Sequence, residues 1–333
     1  MLRTTVIGNW PLPPRYADVL RAYHRREVLE ARAEPALREA AAVAIREQKS
    51  TGVGRVNGGE MFADPELNHL ARHLSGIQIV NGEPTGEQQP PGQGYYRMIG
   101  TLGAPRGIGY ASAFRREHQL DAQLAVASCP GPMSVLSLLL RSDPNVFSVL
   151  SEATAIVQRE VRALAKEGAR EIQLDLPSES AALSLFQFDP TVVAGSIEAA
   201  FRGLRNVERT AHFCFRMLKG AGYSEEQNVR NVLPVIRSLP GKVDRVFVEC
   251  TEEVAREIIA EVPRELEVIA GIAEIEGEVS PVDVLVRRGR EALRHVPAER
   301  LWLAPACGMR ECTSERAVQI LANVVAAARR LPH

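Results

Sequence analysis

The stretch EIQLDL, residues 171–176, is typical of a buried β-strand, and runs of this kind recur along the 333-residue chain. Longer segments with helical periodicity separate most of them. The eight runs cover residues 4–8, 54–59 (the weakest), 123–128, 171–176, 209–215, 245–249, 267–272 and 301–305. Eight strands alternating with helices predict an α/β fold, a (β/α)8 TIM barrel. An open doubly wound sheet is the rival, but no glycine-rich phosphate turn follows the first run.

We expect residues 1–333 to form a single barrel domain with an irregular insertion at residues 76–121, after the second strand. Within it, NGEPTGEQQPPGQGYY (81–96) is polar and rich in Gly and Pro, which predicts a loop or an extended hairpin. Helix ends are marked elsewhere. Ser224 and Gln227 form a capping-box pattern, Gly52 is a predicted C-cap, and Asp64 before Pro65 is a predicted N-cap.

The composition argues against several classes of protein. A net charge of −1 and a pI of about 6.7 give no nucleic-acid footprint. Arginine-rich patches such as RRE (115–117) and RRGR (287–290) are therefore predicted to be solvated helix faces. The chain has no signal-peptide pattern and no run near the roughly 18 apolar residues of a membrane span. We expect a cytoplasmic protein with no membrane or nucleic-acid partner, whose five cysteines are reduced thiols.

Polar residues gather at the predicted carboxyl ends of the strands, which in such barrels form the catalytic face. They are Asn9, Glu60, the SCPGP turn (128–132), Asp175, His212 with Cys214, Glu249 with Cys250, Glu274 with Glu276, and Cys307. His212 and Cys214 share one face of a strand because they are two positions apart. With a third thiolate or carboxylate they suit Zn²⁺. The H-x-C spacing alone is weak, and a core histidine beside a free cysteine is the simpler interpretation of it.

Four segments together resemble the catalytic domain of cobalamin-independent methionine synthase. They are TTVIGNWP (4–11), IQLDLPSESAAL (172–183), HFC (212–214) and the discontinuous run VEC…ERLWLAPACGM (248–309), of which PAERLWLAPACGM (297–309) is the most specific. The resemblance covers most of the chain. The large enzymes of the family carry an additional N-terminal barrel. The family fold is a (β/α)8 barrel, in agreement with the periodicity.

The resemblance implies a zinc site, because the family binds zinc through His, Cys, Glu and Cys. The matching residues are His212, Cys214, Glu249 and Cys307. Cys250 competes locally with Glu249, since strand alternation turns one of the two inward; the family pattern favours the glutamate. Cys129 and Cys312 are predicted to be structural. The family's chemistry is alkyl transfer to a thiol, whose thiolate the zinc stabilises at neutral pH.

The resemblance also implies how the amino-acid end of the substrate is held. In the family an Ile-Gly-Ser turn offers backbone N–H groups to the carboxylate, and two acidic residues bind the ammonium. The equivalents here are Ile7, Gly8 and Asn9 for the turn, with Glu60 and Asp175 as the acids. Two acids suit the ammonium of homocysteine and do not suit the sulfonate of coenzyme M.

The donor side departs from the family pattern. The family has a catalytic Asp-x-His after strand 7, where this chain has Glu274 and Glu276, and a folate-stacking Trp that SCPGPMSVLSLLL (128–140) lacks. A glutamate can act as general acid if burial raises its pKa. Short relatives take methyl groups from methylcobalamin on a corrinoid protein. We therefore expect methyl-tetrahydrofolate to be a poor donor and a corrinoid protein to be the better one.

Three functions remain open on these residues. The first is a zinc-dependent methyltransferase with homocysteine as acceptor. The second is an alkyltransferase that acts on another thiol or another electrophile, as epoxide:coenzyme M transferases do. The third is a non-catalytic zinc- or thiol-binding paralogue, which the loss of donor-side residues would explain.

Overall fold

The fold is built on a parallel sheet of seven strands. A computed structural model describes residues 1–24, 27–63, 67–80, 95–137, 139, 146–215, 218 and 222–332. In chain order the sheet contains β1 (Arg3–Thr4), β4 (Val126–Pro130), β5 (Glu171–Asp175), β6 (Glu208–His212), β7 (Arg245–Glu249), β8 (Glu267–Ala273) and β9 (Leu301–Pro305). Their order across the sheet is β1-β9-β8-β7-β6-β5-β4. A separate antiparallel pair is formed by β2 (Ser75–Val80) and β3 (Tyr95–Gly103).

Helices connect most of the strands. They are α1 (Ala17–His24), α2 (Glu30–Ser50), α3 (Leu67–His73), α4 (Tyr110–Leu120), α5 (Pro132–Leu136), α6 (Leu150–Lys166), α7 (Pro177–Leu185), α8 (Pro190–Phe201), α9 (Glu225–Arg237), α10 (Glu253–Ile258), α11 (Val282–Leu293) and α12 (Ser314–Arg330). The predicted capping box, with both hydrogen bonds, starts α9 at Ser224. Gly52 follows the end of α2 with φ +78°. No helix in these ranges is both long and apolar enough to cross a bilayer.

Two parts of the predicted architecture differ from the structure. Residues 54–59 form no strand; one parallel bridge joins Thr5 to Arg55 at the outer edge of β1. The glycines at positions 54, 58 and 59 explain this, because glycine weakens a strand. The segment 76–121 is less irregular than predicted, since it contains the β2–β3 pair and helix α4. Residues 81–94, and the predicted cap at Asp64 and Pro65, lie outside the described residues.

The two faces of the sheet bury different clusters. Alternate residues of the strands, such as Val246, Val248 and Leu303, join the large core shared with the helices. The residues between them form a second cluster on the inner face: Ile7, Phe247, Ile269, Trp302 and Ala304. Alternate side chains of a strand point to opposite faces. Glu249 is two positions after Phe247 on β7, so it belongs to the inner face as well. The sheet is curled, since Gly58 and Glu60 face Val126 and Ser128 across one small cavity.

The inner face is charged at the amino end of the strands. We call the seven residues there the amino-end cluster: Arg3, Arg55, Glu171, Glu208, Arg245, Glu267 and Trp302. Arg245 contacts Glu171, Glu208 and Glu267, each at 3.0 Å. Arg55 pairs with Glu171 and Glu208, and Arg3 with Glu267. All three guanidinium groups lie 4.5–4.7 Å from the centre of the Trp302 ring. Three cations thus balance three anions.

Candidate metal and substrate site

His212 is held by Asp175 at the carboxyl end of the sheet. The two residues are register partners at the ends of β6 and β5, and His212 Nδ1 lies 2.6 Å from Asp175 Oδ1. Burial lowers the pKa of His212, but the hydrogen bond and charge of Asp175 outweigh it and raise the pKa above 6.5. The ring also packs edge-on against Phe247. Its orientation is therefore fixed from two sides.

The other ring nitrogen of His212 has no partner. Nε2 is buried and makes no hydrogen bond within the described residues. An unsatisfied buried polar atom costs about 1–3 kcal/mol unless a ligand engages it. Histidines that bind metals have this arrangement, in which one nitrogen faces the metal and the other donates to a carboxylate.

Cys214 and Cys307 meet although 93 residues separate them. Cys214 follows β6 and Cys307 follows β9, and their sulfur atoms lie 3.7 Å apart as free thiols. The hydrogen bond to Cys214, burial and the charges of Cys214 and Glu249 raise the pKa of Cys307 well above its usual value. Two thiolates on one tetrahedral zinc lie about 3.8 Å apart, given Zn–S bonds of about 2.3 Å.

Glu249 and Cys250 point to opposite faces of β7. Cys250 is fully buried in the helix-side core, where its sulfur lies 3.4 Å from Val248 O. Burial raises the pKa of the Cys250 thiol well above the usual value. Glu249 is buried at the end of the strand, and its charge acts on Cys307. Of the two neighbours, Glu249 is therefore the one suited to a site shared with Cys307.

These residues fit zinc in their chemistry. Together they offer one imidazole nitrogen, two sulfurs and one carboxylate, a donor set that zinc accepts. The unpartnered Nε2 of His212 and the sulfur spacing are the observations that support the fit. Over the described ranges, no three His, Cys, Asp or Glu side chains are already arranged as a group able to hold an ion.

The turn at Ile7, Gly8 and Asn9 lies against the segment after β9. Gly8 has φ +60°, and a Cβ there would lie 3.2 Å from Gly308 Cα. Asn9 accepts hydrogen bonds from Met309 N at its backbone oxygen and from Arg310 N at its side chain. No hydrogen bond among the described residues engages the backbone N–H groups of residues 7, 8 and 9. Those three donors can serve an anion.

Glu60 is a buried acid in a strained backbone conformation. Its φ of +56° is rare for a residue with a side chain, and such strain is often found at functional sites. Its Oε1 atom is buried without a hydrogen-bond partner in the described part of the chain. Burial and the charge of Asp175 raise the pKa of Glu60 to about 8, against the opposing effects of the Arg310 charge, the nearby Ser128 hydroxyl and the His212 charge. Glu60, Asp175 and His212 thus interact electrostatically.

The two glutamates after β8 have different surroundings. Glu274 is paired with Arg288 and Ser280; Arg288 Nη1 lies 2.6 Å from its Oε2. Burial raises the pKa of Glu274, but these two partners outweigh it and lower the pKa to about 2. A carboxyl with that pKa holds no proton at neutral pH, so it is unsuited to general-acid catalysis. Glu276 is exposed to solvent, so the burial that a glutamate acid needs is absent in the free chain, and Glu276 can serve as the acid only when a bound donor covers it.

The structure also places three residues that the sequence did not single out for the site. Arg310 donates from Nη2 to the backbone oxygen of Glu60 at 2.9 Å. Glu117 is buried beside Gly58, contrary to the prediction that RRE at 115–117 is a solvated face. Arg288 is also largely covered, contrary to the same prediction for RRGR. The position of Arg310 three residues after Cys307 is the one signal that pointed to the site.

Comparisons with known proteins find one family along nearly the whole chain. The model of the family described as "Cobalamin-independent synthase, Catalytic domain" matches residues 2–330. A relative from Acidithiobacillus ferrooxidans named 5-methyltetrahydropteroyltriglutamate–homocysteine methyltransferase is 25% identical over 98% of this chain and 41% of its own length. A methionine synthase from Sulfolobus acidocaldarius is 21% identical over 98% of this chain and 91% of its own length. The chain thus spans about two fifths of the first relative.

Solved structures show the same fold. A B12-independent methionine synthase from Shewanella, in complex with selenomethionine, covers 99% of this chain and 98% of its own, with a TM-score of 0.77 and 17% identity. A putative B12-independent methionine synthase from Listeria monocytogenes gives a TM-score of 0.68 at 18% identity and covers 100% of this chain and 99% of its own.

Proposed function

The chain belongs to the family described as cobalamin-independent synthase, catalytic domain, and we propose that it is a thiol methyltransferase whose acceptor is homocysteine. The observation that carries the proposal is the arrangement of His212, whose Nδ1 is bound to Asp175 and whose Nε2 is buried without a partner among the described residues. The thiol pair of Cys214 and Cys307 follows the ends of the same sheet. We also propose that residues 54–59, which form no strand but join the edge of β1 through the Thr5–Arg55 bridge, occupy the position of the eighth strand of a (β/α)8 barrel.

His212, Cys214, Glu249 and Cys307 would hold zinc in this proposal. Bound there, zinc supplies a Lewis acid that keeps the acceptor's thiol in its nucleophilic thiolate form at neutral pH. Asp175 fixes the His212 ring so that Nε2 points at the ligand position. The inner apolar cluster, with Phe247 against the His212 ring, excludes water from that side.

Two sets of groups in this chain would bind the amino-acid end of the substrate. The N–H groups of Ile7, Gly8 and Asn9 receive the carboxylate, which suits a positively polarised backbone turn. Glu60 and Asp175 receive the ammonium, and its charge offsets their mutual repulsion. A thiol with both an amino and a carboxylate group fits this set better than a sulfonate.

The donor we propose is a methylated tetrahydropteroylglutamate. The Acidithiobacillus relative and others from Paraburkholderia carry names that specify 5-methyltetrahydropteroyltriglutamate. These names favour a folate donor over the corrinoid protein that the missing His and Trp led us to expect. Glu276 is then the proposed acid that gives a proton to the departing pterin, since Glu274 is held by Arg288.

The test is a donor screen with L-homocysteine and zinc-loaded protein, measuring methionine by mass spectrometry. Methyltetrahydropteroyltriglutamate should support turnover at rates typical of enzymes, on the order of 1 s⁻¹. Glu276→Gln should lower that rate by about 10²–10⁴-fold, and Glu274→Gln should not reproduce this loss. Turnover with methylcobalamin alone would overturn the donor assignment, and no turnover with any donor would support a non-catalytic paralogue.

A further inference from the structure

A small cavity lies between the loop Asn57–Glu60, helix α4 and strand β4. It is lined by Asn57, Gly58, Glu60, Glu117, Val126 and Ser128, with apolar residues of α4. The space open to the centres of water molecules is about 20 Å³. One water needs about 10–15 Å³ by the same measure, so the cavity can hold one.

Two buried polar atoms face this cavity's residues without a partner. They are Glu60 Oε1 and Ser128 Oγ, neither of which has a partner with normal hydrogen-bond geometry among the described residues. The Ser128 hydroxyl is nevertheless close enough to the Glu60 carboxyl to lower the pKa of Glu60. Glu60 is more than nine-tenths buried. An internal water typically requires two to four polar partners, and these two atoms with the Glu117 carboxyl supply three. The cavity is therefore polar enough, as well as large enough, to bind water.

Glu117 enters the cavity because residue 58 is a glycine. A Cβ at position 58 would overlap the Glu117 carboxyl group. Burial and the charge of Glu60 raise the pKa of Glu117 to about 8, against the opposing charge of Arg116. The pKa of Glu60 is raised to about the same value, so the two carboxyls share protons near neutral pH, and Glu117 can donate a hydrogen bond while Glu60 is charged.

We propose that Glu117 is a positioning residue for Glu60: its carboxyl and one water in this cavity hydrogen-bond with Glu60 Oε1 and Ser128 Oγ. This inference rests on the proposed function, in which Glu60 receives the ammonium of the acceptor. A hydrogen bond to Oε1 from the cavity leaves Oε2 for the ammonium and fixes the side chain of Glu60, whose backbone is strained. The expected consequence is selectivity for a thiol that carries an amino group.

The experiment measures the dissociation constants of L-homocysteine and 4-mercaptobutyrate by calorimetry on the zinc-loaded full chain. The two thiols differ by the amino group alone. Glu117→Met, which removes the donor at similar volume, should reduce the preference for homocysteine about tenfold, the effect of one hydrogen bond to a charged group. Glu117→Gln keeps a neutral donor and should stay within about threefold of the wild type. Ser128→Ala should reduce the preference in the same direction.

Glu160→Gln is the matched control. Glu160 is another buried acid beside α4, but it accepts from Ile108 N and Ala111 N outside this cavity. It should not change the preference. If the wild type prefers homocysteine and both Glu117→Met and Ser128→Ala keep that preference, the inference is overturned while the proposed function stands. If the wild type binds neither thiol, the proposed function fails first. A crystal structure without water between Glu60 and Ser128 would also overturn the inference, whatever the calorimetry gives.

Discussion

At the amino end of the sheet, Arg245 contacts three carboxylates, and Glu171 also accepts hydrogen bonds from Thr210 and Gln173. At the carboxyl end, His212 Nε2, Glu60 Oε1 and Ser128 Oγ are buried without partners in the described residues. Both ends use acids and bases on the inner face of one sheet. Among the described residues at the amino end, Gln173 Oε1 is also buried without a partner, but the charged groups there are paired. The amino end is therefore built mainly for stability, whereas the carboxyl end keeps polar atoms available for a ligand at an energetic cost.

The largest effect on zinc content and activity should come from changes at the carboxyl end, His212→Ala and Cys307→Ala. Each removes a proposed zinc ligand, so bound zinc should fall from about one per chain to near zero. Activity should fall by about 10³-fold or more, because the Lewis acid contributes several kcal/mol. Zinc is measured by mass spectrometry of the purified protein, and activity with homocysteine as acceptor. The exposed His295 and the core Cys250 provide matched controls, since His295→Ala and Cys250→Ala should keep their zinc. Loss of zinc from the Cys250 variant would reassign the fourth ligand.

The second prediction concerns stability and the substitution Arg245→Met at the amino end. Arg245 is 3% exposed, and its removal leaves buried Glu171 with less compensation. Breaking a buried ion pair in this way typically costs 3–5 kcal/mol. The free energy of unfolding in urea should fall by about that amount, while zinc content stays the same. Arg287→Met is the control, because Arg287 is exposed and forms a loose pair with Glu291; it should change stability by less than about 0.5 kcal/mol. Equal losses in both variants would mean the amino-end cluster is not stabilising.

The sequence predicted the fold well where apolar runs dominate. Residues 245–249 and 301–305 are strands with the predicted bounds, because their burial on both faces is visible as a continuous apolar run. Residues 54–59 were predicted as a strand and are not one, since the three glycines among them remove the side chains that a strand packs. Helix α4 was expected only through the RRE patch at 115–117, because residues 76–121 as a whole were predicted to be an irregular insertion.

The gathering of strand-end residues at one face could be predicted from the sequence, but the contacts among these residues could not. Residues at strand ends gather at one face by topology, which brings Asp175 beside His212. Sequence spacing could not reveal that Asp175 binds the His212 ring, or that Arg288 neutralises Glu274, because these contacts depend on register and on helix packing. Glu117 was misassigned for the same reason. A helix's polar residues look solvated until a neighbouring loop, here Gly58, covers one of them.

The third prediction concerns Asp175→Asn. The asparagine can still accept a hydrogen bond from His212 Nδ1, but it carries no charge to raise the basicity of the ring. Changes of this kind typically weaken metal binding by about 10–100-fold. Competition with a chelator of known zinc affinity measures it. Asp244→Asn is the control, because Asp244 forms a similar pair with Arg209 away from the carboxyl end. If the zinc affinity of the Asp175 variant were unchanged, Asp175 would have no role in metal binding, and its proposed role would be limited to binding the substrate's ammonium group.

The smallest effect is a pH dependence of opposite sign at the two ends. Burial raises the pKa of Glu208, but hydrogen bonds from Arg55 and Arg245 outweigh it and lower the pKa to about 2. A depressed folded-state pKa gives stability that is present above pH 4.5 and is lost as the pH falls toward 2. Glu208 is 41% exposed, so solvent screening limits this contribution to about 1 kcal/mol.

Glu117 at the other end has a raised pKa of about 8, so the folded protein binds its proton more tightly than the unfolded chain. Its contribution to stability therefore decreases as the pH rises from 4.5 to 8. Urea unfolding from pH 3 to pH 8 tests both signs. Glu208→Gln should flatten the acid side of the stability profile, and Glu117→Gln should flatten the side above pH 4.5. If either variant altered the opposite side instead, the division of the sheet into a paired end and an open end would not hold.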